Sequence, residues 1–435
     1  MKMTHNLRLL LPKDILLIVN KIAKLAEKGG YKAYLVGGLV RDILLGVKNM
    51  DLDIVVEGDG PAFAALCAHK IGAALVVHKK FGTASLIMRK KPRIKIDIAT
   101  ARREFYEKPA ALPLVEFSSI KDDLQRRDFT INAMALSINR KDFGTLIDFF
   151  GGTKDLAKKR IRVLHEKSFI DDPTRIFRAV RFEQRYGFRM DDVTARLIRN
   201  AKGARMFDGV SGERLRTEIE LLLGEKDPVK VTKRMNGLDE LRFISSKVRF
   251  GTAEEEICRN VKKAAGLYGG DFFKERPLYL WLVYFMALID SLSFSEAMKV
   301  CARLMMKRSD RSSIAAVKKS EKKILALLSA KKTTRPSEIY SVLVPLTSEA
   351  LLFIMAKCTS QLAKRRIGAF LKKYKWARLS IGGEDIKRLG KQPGPYFAEI
   401  LQKTLYAKID GVVTTRQDEL AFARTQLLIH ETEIL

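Results

Sequence analysis

The stretch YLVGGLVRDILLGVKNMDLDIVV, residues 34–56, decides the fold. Its apolar start runs straight into Gly37-Gly38, which reads as a short buried strand ending in a sharp turn. LVRDILLG spaces its apolar residues as an amphipathic helix closed by Gly46, and DLDIVVEG reads as a second strand. Residues i and i+2 of a strand share a face, so Asp51 and Asp53 project together while Leu52 turns towards the core.

Two carboxylates side by side repel unless a cation lies between them. Oxygen ligands suit Mg²⁺, which shares its shell with phosphates. Gly37 and Gly38 let backbone N–H groups approach a phosphate closely; the following helix starts there with its positive dipole end, and Arg41 lies on its first turn. A lone DxD reads more simply as a solvated strand edge, and a bare GG as a turn. Together, within seventeen residues, they point to a triphosphate-plus-metal site.

Outward from this stretch, residues 7–29 read as one helix with a Leu/Ile stripe, ending at Gly29-Gly30. PAFAALCAHKIG is a helix, and ALVVH, TASLIMR and RIKIDIAT are further strands. The last of these carries Asp97 between Ile96 and Ile98, where it is a candidate third carboxylate on the same sheet face. The segment RREFYEKPAALPLVEFSS reads as a loop, KDDLQRRDFTINAMAL as a helix, and TLIDFFGGTKDL as a strand and turn. From Asp172 onward the periodicity is almost entirely helical. Seams are expected near Gly151-Gly152, Gly224 to Pro228 and Ser329 to Pro336.

The composition narrows the function classes. The chain has 435 residues, 81 Lys and Arg against 50 Asp and Glu, and a net charge of +31. From Cys301 to Ser380 there are 19 basic and four acidic residues. Such a field favours a polyanion, above all nucleic acid, with an acidic membrane surface as the rival. Apolar runs are short and interrupted by charge, so no membrane span is expected, and Lys13 and Asp14 interrupt any secretory signal. Cys67, Cys258, Cys301 and Cys358 are far apart and read as reduced, partly buried thiols of a cytoplasmic protein rather than disulfides or a zinc site. Only His430 lies beyond His165 among the five histidines, too few for an HD-type phosphohydrolase centre.

DDPTRIFRAVRF reads as a helix start, with Asp172 as N-cap and Pro173 at the first position. Arg175, Arg178 and Arg181 recur every three residues on the face of Asp172, and three stacked guanidinium groups repel without an anion between them.

LVGGLVRDILLG…DLDIVV, followed in order by RRDFTINAMA, IDFFGG and DDPTRIFRAVRF, resembles the polymerase β-type nucleotidyltransferases. Within them it is similar to the class II tRNA nucleotidyltransferases and bacterial poly(A) polymerases. SGERLRTEIELLL extends the match. The resemblance implies an α+β fold: an N-terminal mixed-sheet nucleotidyltransferase head followed by an all-α neck, body and tail. The expected bounds are 1–152 for the head, 153–226 for the neck, 227–332 for the body and 333–435 for the tail. It implies Mg²⁺ on Asp51 and Asp53, with Asp97 as a further catalytic carboxylate. It places the nucleotide against Gly37, Gly38, Arg41 and Arg127, with Asp128 shaping the site and Asp148 at a head-to-neck hinge.

Asp172 and Arg175 are then a protein template for the incoming base, with Arg178 and Arg181 positioning base or phosphate. Cytosine and adenine each offer an exocyclic amine beside a ring-nitrogen acceptor, which a carboxylate and a guanidinium match; guanine and uracil present the reverse. GGEDIKRLGKQPGPYFAEILQKTLYAKIDG resembles the tail module of tRNA nucleotidyltransferases. Aromatic interleaving is slight, with Tyr374, Trp376 and Tyr396, so shape and charge rather than stacking would hold tRNA.

The implied activity is template-independent addition of CMP from CTP and AMP from ATP to the tRNA 3′ end. The alternatives are A addition alone, poly(A) synthesis, CC addition alone, or an RNA-binding protein on an inactive head. Family members that add the final A have a flexible loop where RREFYEKPAALPLVEFSS stands, and CC-only members lack it.

Overall fold

The computed structural model describes residues 2–78, 82–88, 94–105, 114–201, 206–268, 277–390 and 392–434. The chain divides into two compact units, Met1–Glu218 and Ile219–Leu435.

The first unit opens with α1 (Thr4–Leu10) and α2 (Lys13–Lys28), then β1 (Lys32–Val36), α3 (Gly38–Leu44) and β2 (Leu52–Glu57). The single helix expected over 7–29 is two helices. Leu11 is extended and Pro12 cannot supply the N–H that a continuous helix needs, so Pro12 instead serves as N-cap of α2. Next come α4 (Gly60–Ile71), β3 (Ala73–His78), β4 (Thr83–Met88), β5 (Lys95–Thr100), β6 (Arg102–Phe105) and β7 (Leu114–Phe117).

The remaining elements are α5 (Ile120–Gln125), β8 (Ala135–Ser137), β9 (Leu146–Ile147), α6 (Gly152–Ala157), β10 (Arg160–Ile161), α7 (Ser168–Asp171), α8 (Thr174–Tyr186), β11 (Arg189–Met190), α9 (Asp192–Ala201) and α10 (Gly212–Leu223). The helix expected over KDDLQRRDFTINAMAL stops at Gln125. Phe129 is extended and bridges to Val163, a 3-10 turn spans Thr130–Asn132, and Ala135–Ser137 joins the sheet. Tertiary pairing overrides the helical spacing there. The segment expected as a loop after Ala101 includes the paired strands β6 and β7; residues 106–113 between them lie outside the described residues.

One seven-stranded mixed sheet, in the order β3-β4-β5-β2-β1-β8-β9, forms the platform. All its pairs are antiparallel except β2 with β5. That parallel pair sets Asp53 directly beside Asp97. Tyr34, Val36, Val55, Ile120, Leu124 and Ala135 pack a core against one face. Gly152 is held close: a Cβ there would lie 2.4 Å from the Thr130 carbonyl oxygen. Asp148 caps α6 by accepting from the N–H groups of Gly152 and Thr153. A two-residue parallel ladder, β10 with β11, is the one strand pairing described beyond residue 152.

The second unit is helical: α11 (Pro228–Gly237), α12 (Thr252–Tyr268), α13 (Leu280–Leu288), α14 (Phe294–Arg303), α15 (Arg308–Ser329), α16 (Pro336–Leu343), α17 (Ser348–Lys357), α18 (Gln361–Lys372), α19 (Gly383–Arg388), α20 (Tyr396–Ile409) and α21 (Arg416–Ile434). Residues 349–356 of α17 are all buried, and Lys357 at its end clamps Asp290 and Glu321 at 2.7 and 2.9 Å. Ile386, Phe397, Ile400, Ala423 and Leu427 knit the last three helices together. Among the described residues no single helix is long and apolar enough to cross a membrane. All four cysteines are free and buried, and burial pushes the Cys67 and Cys258 thiols up to about 12.

Candidate active site

β1 delivers the chain to Gly37, whose φ of 71° and ψ of −136° suit glycine alone. A Cβ there would sit 3.0 Å from Arg127 Nη1 and 3.8 Å from Asp53 Oδ2, so the absent side chain lets the arginine and the aspartate face each other. Asp51 stands just ahead of β2 and Asp53 is its second residue. Burial first, and the Asp51 charge next, push the Asp53 carboxyl up to about 6, against the pull of Arg127. Two carboxylates in this condition fit a divalent cation, which would supply the charge they lack.

Asp97 is less free than its sequence position suggests. Its Oδ1 accepts from Ser85 Oγ at 2.5 Å and its Oδ2 is paired with Lys95 Nζ at 2.6 Å. It does not line the cavity that Asp51 and Asp53 share, and among the described residues no three acidic, His or Cys side chains are grouped to hold an ion.

That cavity measures about 840 Å³. Gly37, Gly38, Arg41, Asp51, Asp53, Arg127, Asp172, Arg175 and Arg178 all line it, a volume suited to a nucleotide. Arg127 is aimed by Asp123, which accepts from its Nη2 at 2.9 Å and also holds Arg126. Burial opposes ionisation of Asp123, but the two guanidinium charges outweigh it and lower its carboxyl.

Arg41 is buried rather than presented. Its Nε pairs with Asp42 at 2.9 Å, its Nη1 donates to Asn132 Oδ1 at 2.5 Å, and its guanidinium lies over the Tyr186 and Phe182 rings. These links belong to a relay. The backbone N–H of Asp51 donates to Asn49 Oδ1, and Asn49 Nδ2 donates to Asp42. Asn132 Nδ2 donates to Asp128 Oδ1, and Asp128 Oδ2 takes two hydrogen bonds from Arg178 at 2.9 and 2.6 Å. The relay therefore runs from the loop carrying Asp51 to α8. Burial works against the Asp128 charge, yet Arg178 and Asn132 together hold its carboxyl at about 2, and the same pairing raises Arg178 above its usual range.

At the start of α8, Pro173 takes the N-cap position and Asp172 stands one residue before it. Asp172 Oδ1 still accepts from Thr174 N and Oγ1 at 3.0 and 2.6 Å. Arg175 donates from Nη1 to Ser168 Oγ and from Nη2 to the Arg126 carbonyl, at 2.8 and 2.7 Å. The anion expected among Arg175, Arg178 and Arg181 comes from the protein. Asp128 neutralises Arg178, and Glu218 lies 3.5 Å from Arg178 and 3.8 Å from Arg181. Arg181 is buried and does not line the cavity. Sequence reading missed Asn49, Asn132, Arg214 and Glu218, all cavity residues. Arg214 and Glu218, four apart on α10, carried an i, i+4 signal in SGERLRTEIELLL.

A mixed sheet with a glycine turn, paired carboxylates and an Asp/Arg pair around one nucleotide-sized cavity defines a nucleotidyltransferase head of the polymerase β type. Residues 33–162 match the family described as Poly A polymerase head domain. The A-adding tRNA nucleotidyltransferase of Geobacter sulfurreducens is 39% identical over 426 residues, covering 97% of this chain and 48% of the relative. That of Halalkalibacterium halodurans is 31% identical, covering 95% and 93%. The Thermotoga maritima CCA-adding enzyme, solved with tRNA, superposes with a TM-score of 0.77 at 34% identity, over 98% of this chain and 99% of that one. The chain belongs to the family of class II tRNA nucleotidyltransferases and bacterial poly(A) polymerases. It spans about half the length of the Geobacter relative.

Proposed function

We propose that the chain is a template-independent tRNA nucleotidyltransferase that adds CMP and AMP to the tRNA 3′ end, building or repairing CCA and releasing pyrophosphate. The observation that carries the reading is the Asp172/Arg175 pair in the same cavity as Asp51 and Asp53. Asp172 Oδ1 and the outer nitrogens of Arg175 are anchored to the protein, which supports an outward-facing acceptor beside a donor. Such a pair accepts C and A and opposes the edges of U and G.

Asp51 and Asp53 would hold Mg²⁺, with Asp97 joining only if its carboxylate leaves Ser85 and Lys95. Bound there, Mg²⁺ would acidify the terminal 3′-OH and screen the triphosphate charge. Arg127, fixed by Asp123, would meet the triphosphate at the Gly37-Gly38 turn. Arg41 and Arg178 at the cavity wall, and Arg181 behind it, would keep that wall rigid. The 3′ oxygen attacks the α-phosphorus, its bond to the β-phosphate oxygen breaks, and pyrophosphate leaves. The basic segment from Cys301 to Ser380 would take the tRNA backbone by charge.

A second reading, addition of the terminal A alone, is favoured by the names of the Geobacter and Halalkalibacterium relatives. One experiment separates the two: tRNA ending at the discriminator base, at its first C or at CC, given CTP or ATP singly. Extension at every stage supports CCA addition. Extension of the CC end alone, by ATP alone, supports the second reading. No extension of any end overturns both.

A further inference from the structure

An acceptor selects bases only if it faces them in a fixed plane, and the structure holds Asp172 more firmly than a helix start needs. Thr174 N and Oγ1 both end on Oδ1, a local contact that capping explains. Arg214 Nη2 reaches the same oxygen at 2.8 Å from α10, the second helix after α8. Oδ2 accepts no hydrogen bond from the described residues. The Arg214 and Asp172 side chains are 32% and 20% exposed, and an ion pair still partly open to water contributes modestly to stability. Both residues line the nucleotide cavity, as do Thr174 and Arg175.

We propose that Arg214 is a positioning residue for nucleotide choice: by pinning Oδ1 of Asp172, it presents Oδ2 as a fixed acceptor where an exocyclic amine must lie. The inference rests on the Asp172/Arg175 base-reading proposal above. Its chemistry follows from the base edges. Against a fixed Oδ2, uracil and guanine place a carbonyl oxygen, and the two acceptors repel. A carboxylate free to swing moves instead towards the ring N–H that uracil and guanine carry, and the objection to them weakens. Arg214 acts in this proposal through the carboxylate, so its loss relaxes selection more than it slows transfer.

The test compares wild type, Arg214→Gln, Arg214→Lys and Asp172→Asn. The readouts are kcat/KM for CTP against UTP and for ATP against GTP on matched tRNA ends, with the melting temperature of each variant. Arg214→Gln is expected to lower the preference for the correct nucleotide about tenfold, the loss of the ion pair that holds Oδ1. Its melting point should fall by no more than a few degrees, about 4 °C at most, in line with a half-buried ion pair. Arg214→Lys, which keeps the charge but not the planar fork, recovers part of the preference, and carries the test if the Gln variant folds poorly. An unchanged preference in both Arg214 variants, while Asp172→Asn relaxes it, overturns this inference and leaves the base reader standing. An unchanged preference in Asp172→Asn as well overturns the base reader itself, and this inference with it.

Discussion

The two ends of the nucleotide cavity are built on opposite electrostatic plans. At the sheet end, Asp51 and Asp53 repel, and Asp53 is driven up to about 6 by burial and by its neighbour. At the helix end, Asp172 and Arg175 are each tied to the protein by Thr174, Arg214, Ser168 and the Arg126 carbonyl. One end lacks a charge that a ligand must bring. The other has its charges satisfied and offers geometry. On the proposed function, catalysis by charge and selection by fixed geometry would fall to separate walls of one cavity.

Removing a carboxylate from the sheet end tests that division most severely. Asp51→Ala or Asp53→Ala should cut transfer of both nucleotides by about a thousandfold or more, because several kcal/mol of metal-dependent stabilisation go with it. Binding of tRNA in a filter assay should stay close to wild type, and full activity of either variant in Mg²⁺ would erase the contrast.

The next largest effect lies on the relay between the ends. Asp128 is buried and paired with Arg178, so Asp128→Asn leaves the guanidinium only the more distant Glu218 as a counter-charge and should cost about 1–3 kcal/mol in a denaturant titration. Its pH signature has a definite sign. The carboxyl is held at about 2 against an ordinary value near 4, so its contribution is complete above about pH 4 and is lost as the pH falls towards 2. Wild type should therefore lose stability across that window more steeply than Asp128→Asn; parallel curves would deny the pair its role.

A comparable change is expected at the helix end. Asp172→Ala should slow CTP and ATP use and raise relative UTP or GTP incorporation by roughly ten- to a hundredfold, matching ~1.5–3 kcal/mol. A lowered melting point with unaltered selection would reduce Asp172 to a cap.

The smallest effect sharpens the sheet end. The Lys95–Asp97 pair is well exposed, with Lys95 at 59%, so Lys95→Ala should cost under about 1 kcal/mol. If Asp97 serves as a third carboxylate, the same variant should reach half-maximal activity at a lower Mg²⁺ concentration. An unchanged Mg²⁺ titration would leave Asp97 as a contact at the sheet surface.

The sheet end was the more legible in sequence. Its signals are local: apolar residues bounded by glycines, and two aspartates at strand spacing. The parallel pairing that puts Asp97 beside Asp53 was within reach of the same pattern, but its diversion to Ser85 was not, since Ser85 lies on another strand. At the helix end the pattern showed three arginines on one face without the carboxylates that neutralise them. Asp128 is fifty residues before Arg178 and Glu218 is forty after it, and no periodicity links such positions. Residues 120–135 misled for the converse reason: helical spacing was present, but Phe129 and the strand after it found partners elsewhere.

The relay from Asn49 through Asp42, Arg41, Asn132 and Asp128 to Arg178 also bears on how this chain can change over generations. Each member is a donor or acceptor cut to its neighbour's length, so a lone replacement leaves a buried partner stranded. Drift along this line is therefore confined to paired exchanges, in which the change at one member is met by a change at the next.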